Sequence, residues 1–132
     1  MKFKIVMVVL VLTILLGGCA QQPLSIKEVY LCKSVNENNS PLEMPNILPA
    51  DIKNIYLSVN IENITPEDEL KVAWTYLDTG DVIQEQVSRV DKKGSGYLSF
   101  NINISEGFPS GNYQAEVFLN GELFEELEFS VK

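Results

Sequence analysis

The segment Tyr97-Leu-Ser-Phe-Asn-Ile-Asn-Ile-Ser105 shows the cleanest alternation of apolar and polar residues in this 132-residue chain. Successive side chains of a β-strand point to opposite faces, so the alternation predicts a strand with one buried face. The buried face would carry Leu98, Phe100, Ile102 and Ile104. The opposite face, turned to water, would carry Ser99, Asn101 and Asn103.

Six other short segments have strand-like apolar patterns and are separated by turn residues: 26–35, 52–61, 70–77, 82–90, 113–119 and 123–131. The loop of residues 36–50 contains Pro41, Pro45 and Pro49, which excludes a long regular element there. Seven strands in a segment of this length, with no convincing helical period, predict one all-β domain built as an antiparallel β-sandwich.

The final hairpin turns around Asn120-Gly121, and its apolar residues suggest a register. We expect a three-residue loop, residues 119–121, with the glycine in the left-handed conformation of a G1 bulge. The resulting cross-strand pairs would be Phe118 with Glu122 and Val117 with Leu123. Leu123 and Leu127 would then face the core.

In that register Phe124 points outward, on the same outer face of the hairpin as Phe118. Two adjacent exposed aromatic residues on an acidic surface form a candidate contact for a protein partner. The alternative is that the proline-rich segment covers them through Leu42, Met44, Ile47 and Leu48. The sequence leaves both interpretations open.

Two aromatic residues are expected to serve the fold rather than a ligand. Tyr113 follows the bend Gly107-Phe-Pro-Ser-Gly111, where Greek-key sandwiches often hold a tyrosine corner whose hydroxyl bonds to upstream backbone. Trp74 is central on its strand and is expected in the core. An exposed tyrosine or tryptophan that binds a ligand is the alternative in each case.

The first 18 residues have the pattern of an export signal. Lys2 and Lys4 precede an apolar run, residues 5–16, that is broken only by Thr13. As a helix this run would reach about 18 Å, which is short of the ~30 Å hydrocarbon core of a bilayer. A removable signal peptide therefore fits better than a membrane span.

The stretch Leu16-Gly17-Gly18-Cys19 resembles the lipobox of bacterial lipoprotein precursors, although Gly17 is a less usual choice at its position. The resemblance implies that lipid is attached to Cys19, that residues 1–18 are removed, and that palmitate or a similar acyl chain is added. Two or three acyl chains are enough for stable anchoring. The alternative is a secreted protein with a chance cysteine at its cleavage site.

This interpretation divides the chain into a signal peptide (1–18), a lipidated tether (19–25) and a β-sandwich domain (26–132). The tether is short, so the domain would sit close to the bilayer. We expect an exported protein that is anchored to the cell membrane or the outer membrane, with its domain in the periplasm or on the cell surface.

From Asp51 onward the chain resembles a recurrent, uncharacterised extracellular domain of bacteria and archaea that is often found on lipoproteins. The matching segments are 51–56, 72–76, 96–100, 107–113, 117–121 and 129–131. The resemblance implies an immunoglobulin-like or fibronectin-III-like sandwich and brings no catalytic residues with it.

Charge and composition narrow the functional classes. Beyond the signal peptide eight basic residues stand against all 18 acidic ones, a formal charge of −10 that repels phosphate backbones and anionic headgroups. We therefore expect no nucleic-acid partner and a membrane link only through lipid on Cys19. Histidine is absent, which removes the commonest general base and metal ligand.

Three groups of acidic residues are candidates for a function. Residues 67–69 and the pair Asp78 and Asp81 lack the ligand count and spacing of a recognised calcium loop, so solvated turns and weak calcium sites both remain open. We expect no metal and no cofactor. The third group, on the last strand, is interpreted as a charged edge that discourages strand addition: Glu122, Glu125, Glu126 and Glu128.

Cys32 has no intramolecular partner once Cys19 carries lipid. Burial as a small apolar side chain and exposure as a thiol open to an intermolecular disulfide are the two interpretations.

The leading functional hypothesis is a non-enzymatic binding or accessory module of the cell envelope. The alternatives are a small envelope enzyme or enzyme inhibitor, and an envelope assembly factor that pairs with clients through an edge strand. A flat aromatic patch rimmed by acids would favour protein contact. A pair of acids in a concave pocket would favour catalysis, and a bare strand edge would favour strand pairing.

Overall fold

The computed structural model describes residues 23–45 and 47–132. In that part the chain is an all-β sandwich, and none of its segments forms a helix that could cross a membrane. The expected signal peptide, Cys19 and the start of the tether lie outside the described residues.

Two sheets face each other across one core. The three-stranded sheet has the order β1-β5-β8 and contains β1 (Ser25–Cys32), β5 (Asn54–Ile64) and β8 (Gly94–Asn103). The five-stranded sheet has the order β4-β10-β9-β6-β7 and contains β4 (Ile47–Leu48), β6 (Leu70–Tyr76), β7 (Asp81–Ser88), β9 (Gly111–Leu119) and β10 (Glu122–Val131). A small ladder joins β2 (Ser34–Val35) to β3 (Pro41–Leu42).

All seven strands predicted from the alternating pattern are present, with bounds that differ by up to three residues. The predicted β-sandwich is confirmed; its long strands pair antiparallel, and the short β4, which was not predicted, pairs in parallel with the end of β10. Leu48, fully buried, holds this short strand against the core. The proline-rich loop therefore contributes two short strands but no long element, as expected.

Alternation along each strand supplies the core. On β5, Ile55, Leu57, Val59 and Ile61 are all buried. On β8, Phe100 and Ile102 are buried and Leu98 packs against the core at its margin, as does Ile104 just after the strand. The faces predicted for both strands are confirmed.

A polar bridge joins the two sheets near their edges. The indole Nε1–H of the buried Trp74 donates to Gln86 Oε1 at 2.9 Å, and Gln86 Nε2 donates to the carbonyl oxygen of Asn101 at 2.7 Å. Because Gln86 lies on β7 and Asn101 on β8, the bridge closes this side of the sandwich. The core position predicted for Trp74 is confirmed.

Tyr113 forms the expected tyrosine corner. Its ring is buried against Phe129, with ring centroids 5.3 Å apart, and its hydroxyl donates to the carbonyl oxygen of Pro109. The bend before β9 is thereby tied to the core.

The three-residue loop predicted for the last hairpin is wrong. Leu119 lies opposite Glu122, so Asn120 and Gly121 alone form the turn, with φ angles of 52° and 84°. Positive φ at both positions is the signature of a type I′ turn, which suits the twist of a hairpin. A β-bulge between Leu123 and Glu125 then adds one residue to β10, and the later residues Leu127 and Phe129 regain the core side.

Candidate binding face

The outer faces of the two sheets differ in how they are covered. Residues 36–40 fold over the three-stranded sheet, where Asn39 accepts hydrogen bonds from the hydroxyls of Ser58 and Ser99. Asn36 Oδ1 shapes this loop by accepting from the backbone N–H groups of Asn38 and Ser40. On the outer face of the five-stranded sheet Val87 and Leu123 are about half exposed, which makes this face the candidate surface for a partner.

One row of this outer face is mostly apolar. Lys71 on β6 lies directly opposite Val87 on β7 and Phe118 on β9, and Phe118 lies opposite Leu123 on β10. Residues directly opposite each other in an antiparallel pair share a face, so these four side chains line up across four strands. Val87 is 56% exposed and Leu123 is 47% exposed, while Phe118 is half-buried. We call this set the apolar row.

Lys71 is fixed within the apolar row by two contacts. Its Nζ lies 5.1 Å from the centroid of the Phe118 ring and 3.6 Å from Glu85 Oε2. A cation over an aromatic face is attracted by the ring quadrupole, and the methylene stem of the lysine covers apolar surface beside it. The row therefore presents a flat, preorganised surface with its one positive charge already paired.

The next row of the same face is acidic. Ala73 on β6 lies opposite both Glu85 and Glu116, and Glu116 lies opposite Glu126 on β10. Like charges directly opposite each other weaken a sheet. The pair of Glu116 and Glu126 therefore does not serve stability, and this acidic row lies immediately beside the apolar row.

The structure separates the two residues that the sequence paired as a partner contact. Phe118 lies on the outer face, but its cross-strand neighbour is Leu123, which was wrongly predicted to face the core. Phe124 is the extra residue of the bulge, is 48% exposed, and lines a cleft between β10 and β1. The exposure of Phe124 argues against a cover by the proline-rich segment, of which Leu42, Met44 and Ile47 are exposed and Leu48 is buried in the core beside Val131.

Val87 and Leu123 were missed as surface residues because their positions depend on pairing register. The sequence shows only that each belongs to an apolar strand. The cross-strand partner decides which face such a residue takes, and the two-residue turn pairs Leu123 with Phe118 instead of Val117. An Asn-Gly dipeptide is the usual signal of a two-residue turn, and it was available in the sequence.

The acidic turns considered for calcium are held by local hydrogen bonds. Asp68 Oδ2 accepts from the backbone N–H and the hydroxyl of Thr65, and Asp68 Oδ1 accepts from Asn120 Nδ2. These bonds lower the pKa of Asp68, the backbone bond from Thr65 contributing most. Asp78 Oδ1 accepts from the backbone N–H of Asn112. Within residues 23–45 and 47–132 no three acidic or cysteine side chains cluster as metal ligands would.

Cys32 is fully buried at the end of β1, which confirms the first of its two interpretations. Burial raises the pKa of its thiol, against a smaller lowering by backbone hydrogen bonds from Leu42 and Ser34. A buried, protonated thiol is a poor nucleophile and a poor partner for an intermolecular disulfide.

Comparison with known proteins defines the fold class. An immunoglobulin-like protein from Pseudomonas aeruginosa aligns with a TM-score of 0.57 and 13% identity, covering 86% of this chain and 99% of that one. The C-terminal domain of Wzt aligns with a TM-score of 0.53 and 12% identity, covering 85% of this chain and 75% of that one. At these identities the likeness concerns the fold alone.

No family model matches the sequence, and no curated protein matches it either. The chain is an immunoglobulin-like β-sandwich, as the resemblance noted from Asp51 onward implied.

Proposed function

We propose that this protein is a non-enzymatic binding or accessory module of the bacterial cell envelope, which contacts a protein partner through the outer face of its five-stranded sheet. The observation that carries the proposal is the apolar row, Val87-Lys71-Phe118-Leu123, with the acidic row beside it. A flat apolar strip with a polar rim is the usual anatomy of a protein contact surface. The immunoglobulin-like fold of the chain agrees with a binding or accessory role.

The acidic row also indicates what kind of partner fits. Glu116 and Glu126 lie directly opposite each other, whereas Glu85 on the same row is already paired with Lys71, so a partner fits that brings positive charge to Glu116 and Glu126. The surplus of acids over the whole chain disfavours nucleic acid for the same reason. A protein surface that combines apolar and basic side chains matches both rows.

The proposed location follows from the sequence alone. The lipobox-like stretch ending at Cys19 supports export, lipid attachment and a bilayer anchor, with the domain in the periplasm or on the cell surface. Since β1 begins at Ser25, only a few residues would separate the lipid from the folded domain. The partner would accordingly be sought among envelope proteins near a membrane.

Site-specific photo-crosslinking in living cells tests the proposed surface. A photoreactive residue replaces Val87 in the full chain, and another replaces the exposed Asn103 on the three-stranded sheet as a control. We expect a discrete protein adduct from position 87 and none from position 103. The adduct should weaken when E116K reverses a charge on the acidic row, but not when E106K reverses a charge in a distant turn.

Equal adducts from positions 87 and 103 would contradict the proposal. So would an adduct from position 87 that responds in the same way to E116K and E106K, because contact would then follow net charge rather than the face.

A further inference from the structure

A groove runs between the edges of the two sheets on the side of β1 and β10. One cavity of about 460 Å³ is lined on β10 by Phe124 and Glu125 and on β1 by residues that include Glu28 and Val29. A second cavity, of about 360 Å³, adjoins it through Val29 and Tyr30, which line both. The two cavities therefore form one elongated groove.

The walls of the groove are apolar with acidic positions. Its apolar side chains include Val29, Tyr30, Phe124, Met44 and Phe129. Its acidic side chains are Glu28, Glu125 and Glu128. Lys27 is the basic residue of this lining, and its Nζ is paired with Glu62 Oε2 at 3.5 Å. The charge that the groove presents to an occupant is thus negative.

One wall of the groove is an open strand edge. Strand β10 pairs with β9 along one side, but on the other side β4 covers only Ser130 and Val131. Within the part of the chain that the structure describes, Glu122 to Phe129 have no strand on that side. An edge of this kind presents backbone N–H and C=O groups that another strand can pair with.

We propose that this groove binds an extended segment of a partner protein, in which basic and apolar residues alternate, as an added strand on β10. Strand β4 already occupies the last two positions of the same edge, so the edge accepts a strand in this place. Beyond the bulge at Phe124, the regular part of the open edge from Glu125 to Phe129 is long enough for about five residues, or roughly 17 Å of extended chain.

The acids select the occupant. Glu122, Glu125, Glu126 and Glu128 repel a second copy of this acidic chain, as the sequence predicted for a protected edge. The same charges attract a strand that carries lysine or arginine, while its alternate apolar residues meet Phe124, Val29 and Phe129. The same glutamate side chains therefore attract a basic strand and repel a second copy of this acidic chain.

This site shares strand β10 with the face proposed above, since Leu123 and Glu126 lie within the open edge, and residues that belong to one site only keep the two tests distinguishable. Glu125 and Glu128 line the groove and do not belong to the acidic row, while Val87 lies on the strand at the far edge of the sheet.

The test uses the full chain, purified from the cell fraction that holds it, and a blocked decapeptide of alternating lysine and valine. Backbone hydrogen exchange measured by mass spectrometry should slow over residues 122–129 when the peptide is added, because strand pairing protects amide hydrogens. Exchange over Asp81–Ser88, the opposite edge strand, should not change. A peptide of the same composition with its lysines and valines in two blocks should bind at least tenfold more weakly.

Matched charge reversals locate the contact. The double variant E125K/E128K should lower the affinity for the alternating peptide at least tenfold, whereas E67K/E106K, with the same change of net charge at exposed turns, should lower it less than threefold. Phe124→Ser is a second test variant, because this half-exposed residue can be changed without opening the core. It should weaken binding of the alternating peptide at least threefold.

Equal binding of the alternating and block peptides would overturn the proposal. Protection on Asp81–Ser88 instead of β10, equal losses in the two double variants, or self-association of the chain through β10 would overturn it as well.

Discussion

The hydroxyl of Tyr113 donates a hydrogen bond to the carbonyl oxygen of Pro109, four residues earlier in the chain. The ring of Tyr113 is buried between the two sheets, where it stacks on Phe129 and lies 4.8 Å from the ring centroid of Tyr76. One side chain therefore fixes both the core and the bend that leads into β9. The corner is a structural device, and its removal should be visible in stability.

Replacing Tyr113 by Phe should destabilise the domain by about 0.5–1.5 kcal/mol, the usual net contribution of one hydrogen bond. The ring and its packing remain, so only the bond to Pro109 is lost. Urea unfolding followed by the fluorescence of Trp74, the single tryptophan, measures the change. An unchanged unfolding midpoint would show that the bond contributes nothing.

Tyr113 should also make the stability of the domain fall at alkaline pH. Burial, reinforced by the negative charges of ionised Tyr76 and of Asp78, raises the pKa of Tyr113 to about 12. Between the unfolded pKa near 10 and that value the folded state binds the proton more tightly, so stability falls as the pH rises. The fall between pH 10 and 12 should be smaller in Tyr113→Phe than in the wild type; equal slopes would contradict this assignment.

Gly111 is required by a close approach of side chains. A Cβ there would lie 2.5 Å from Asp78 Oδ2 and 2.7 Å from Tyr76 Cε1, and the φ of the residue is +147°. Gly96 has a similar φ of +151°, but a Cβ added to Gly96 would have no atom within 4 Å. G111A should therefore be more destabilising than G96A by about 1–3 kcal/mol, the cost typical of overpacking. Thermal unfolding of both variants measures the difference, and equal losses would rule out the clash.

The bridge from Trp74 to Gln86 should also be measurable. Gln86→Ala leaves the buried indole N–H without its partner, which costs about 1–3 kcal/mol for an unsatisfied buried donor. Gln84→Ala, on the same strand but exposed, is the matched control and should cost less than half as much. Urea unfolding of both variants measures the two losses of stability. Equal effects of the two substitutions would mean that the bridge does not stabilise the contact between the sheets.

The acidic row predicts a conflict between stability and binding. Replacing Glu126 by Lys turns its like-charge pair with Glu116 into an attractive one and should stabilise the domain by a few tenths of a kcal/mol. The same change should weaken the adduct expected from Val87. E106K provides the correction for net charge, and added salt should reduce the difference between the two variants. A destabilised E126K would show that the acidic pair belongs to the fold.

The β-sandwich architecture could be predicted from the sequence because the alternation of apolar and polar residues is a local property of each strand. The buried faces of β5 and β8, the core position of Trp74 and the corner at Tyr113 all follow from patterns within a few residues. Burial on one face forces such a pattern, so it can be recognised without knowledge of the partner strand.

The candidate binding face could not be predicted from local sequence patterns in the same way. Its members lie on four strands, and register alone brings Val87, Lys71, Phe118 and Leu123 into one row. A turn one residue shorter than predicted, followed by a bulge, moved Leu123 to the outside and Phe124 to the groove. One slip in register exchanges the two faces of a strand, so the face predicted for Leu123 was wrong, although the core faces predicted for β5 and β8 were right.

Attachment to a bilayer through Cys19 is the premise on which the proposed function depends. Intact-mass spectrometry of the full chain, expressed in a bacterial host and purified from its membranes in detergent, tests it most directly. We expect residues 19–132 carrying a diacylglycerol group and an added acyl chain, and a Cys19→Ser variant that keeps its leader. A membrane-free chain with an unmodified thiol at Cys19 would contradict the premise.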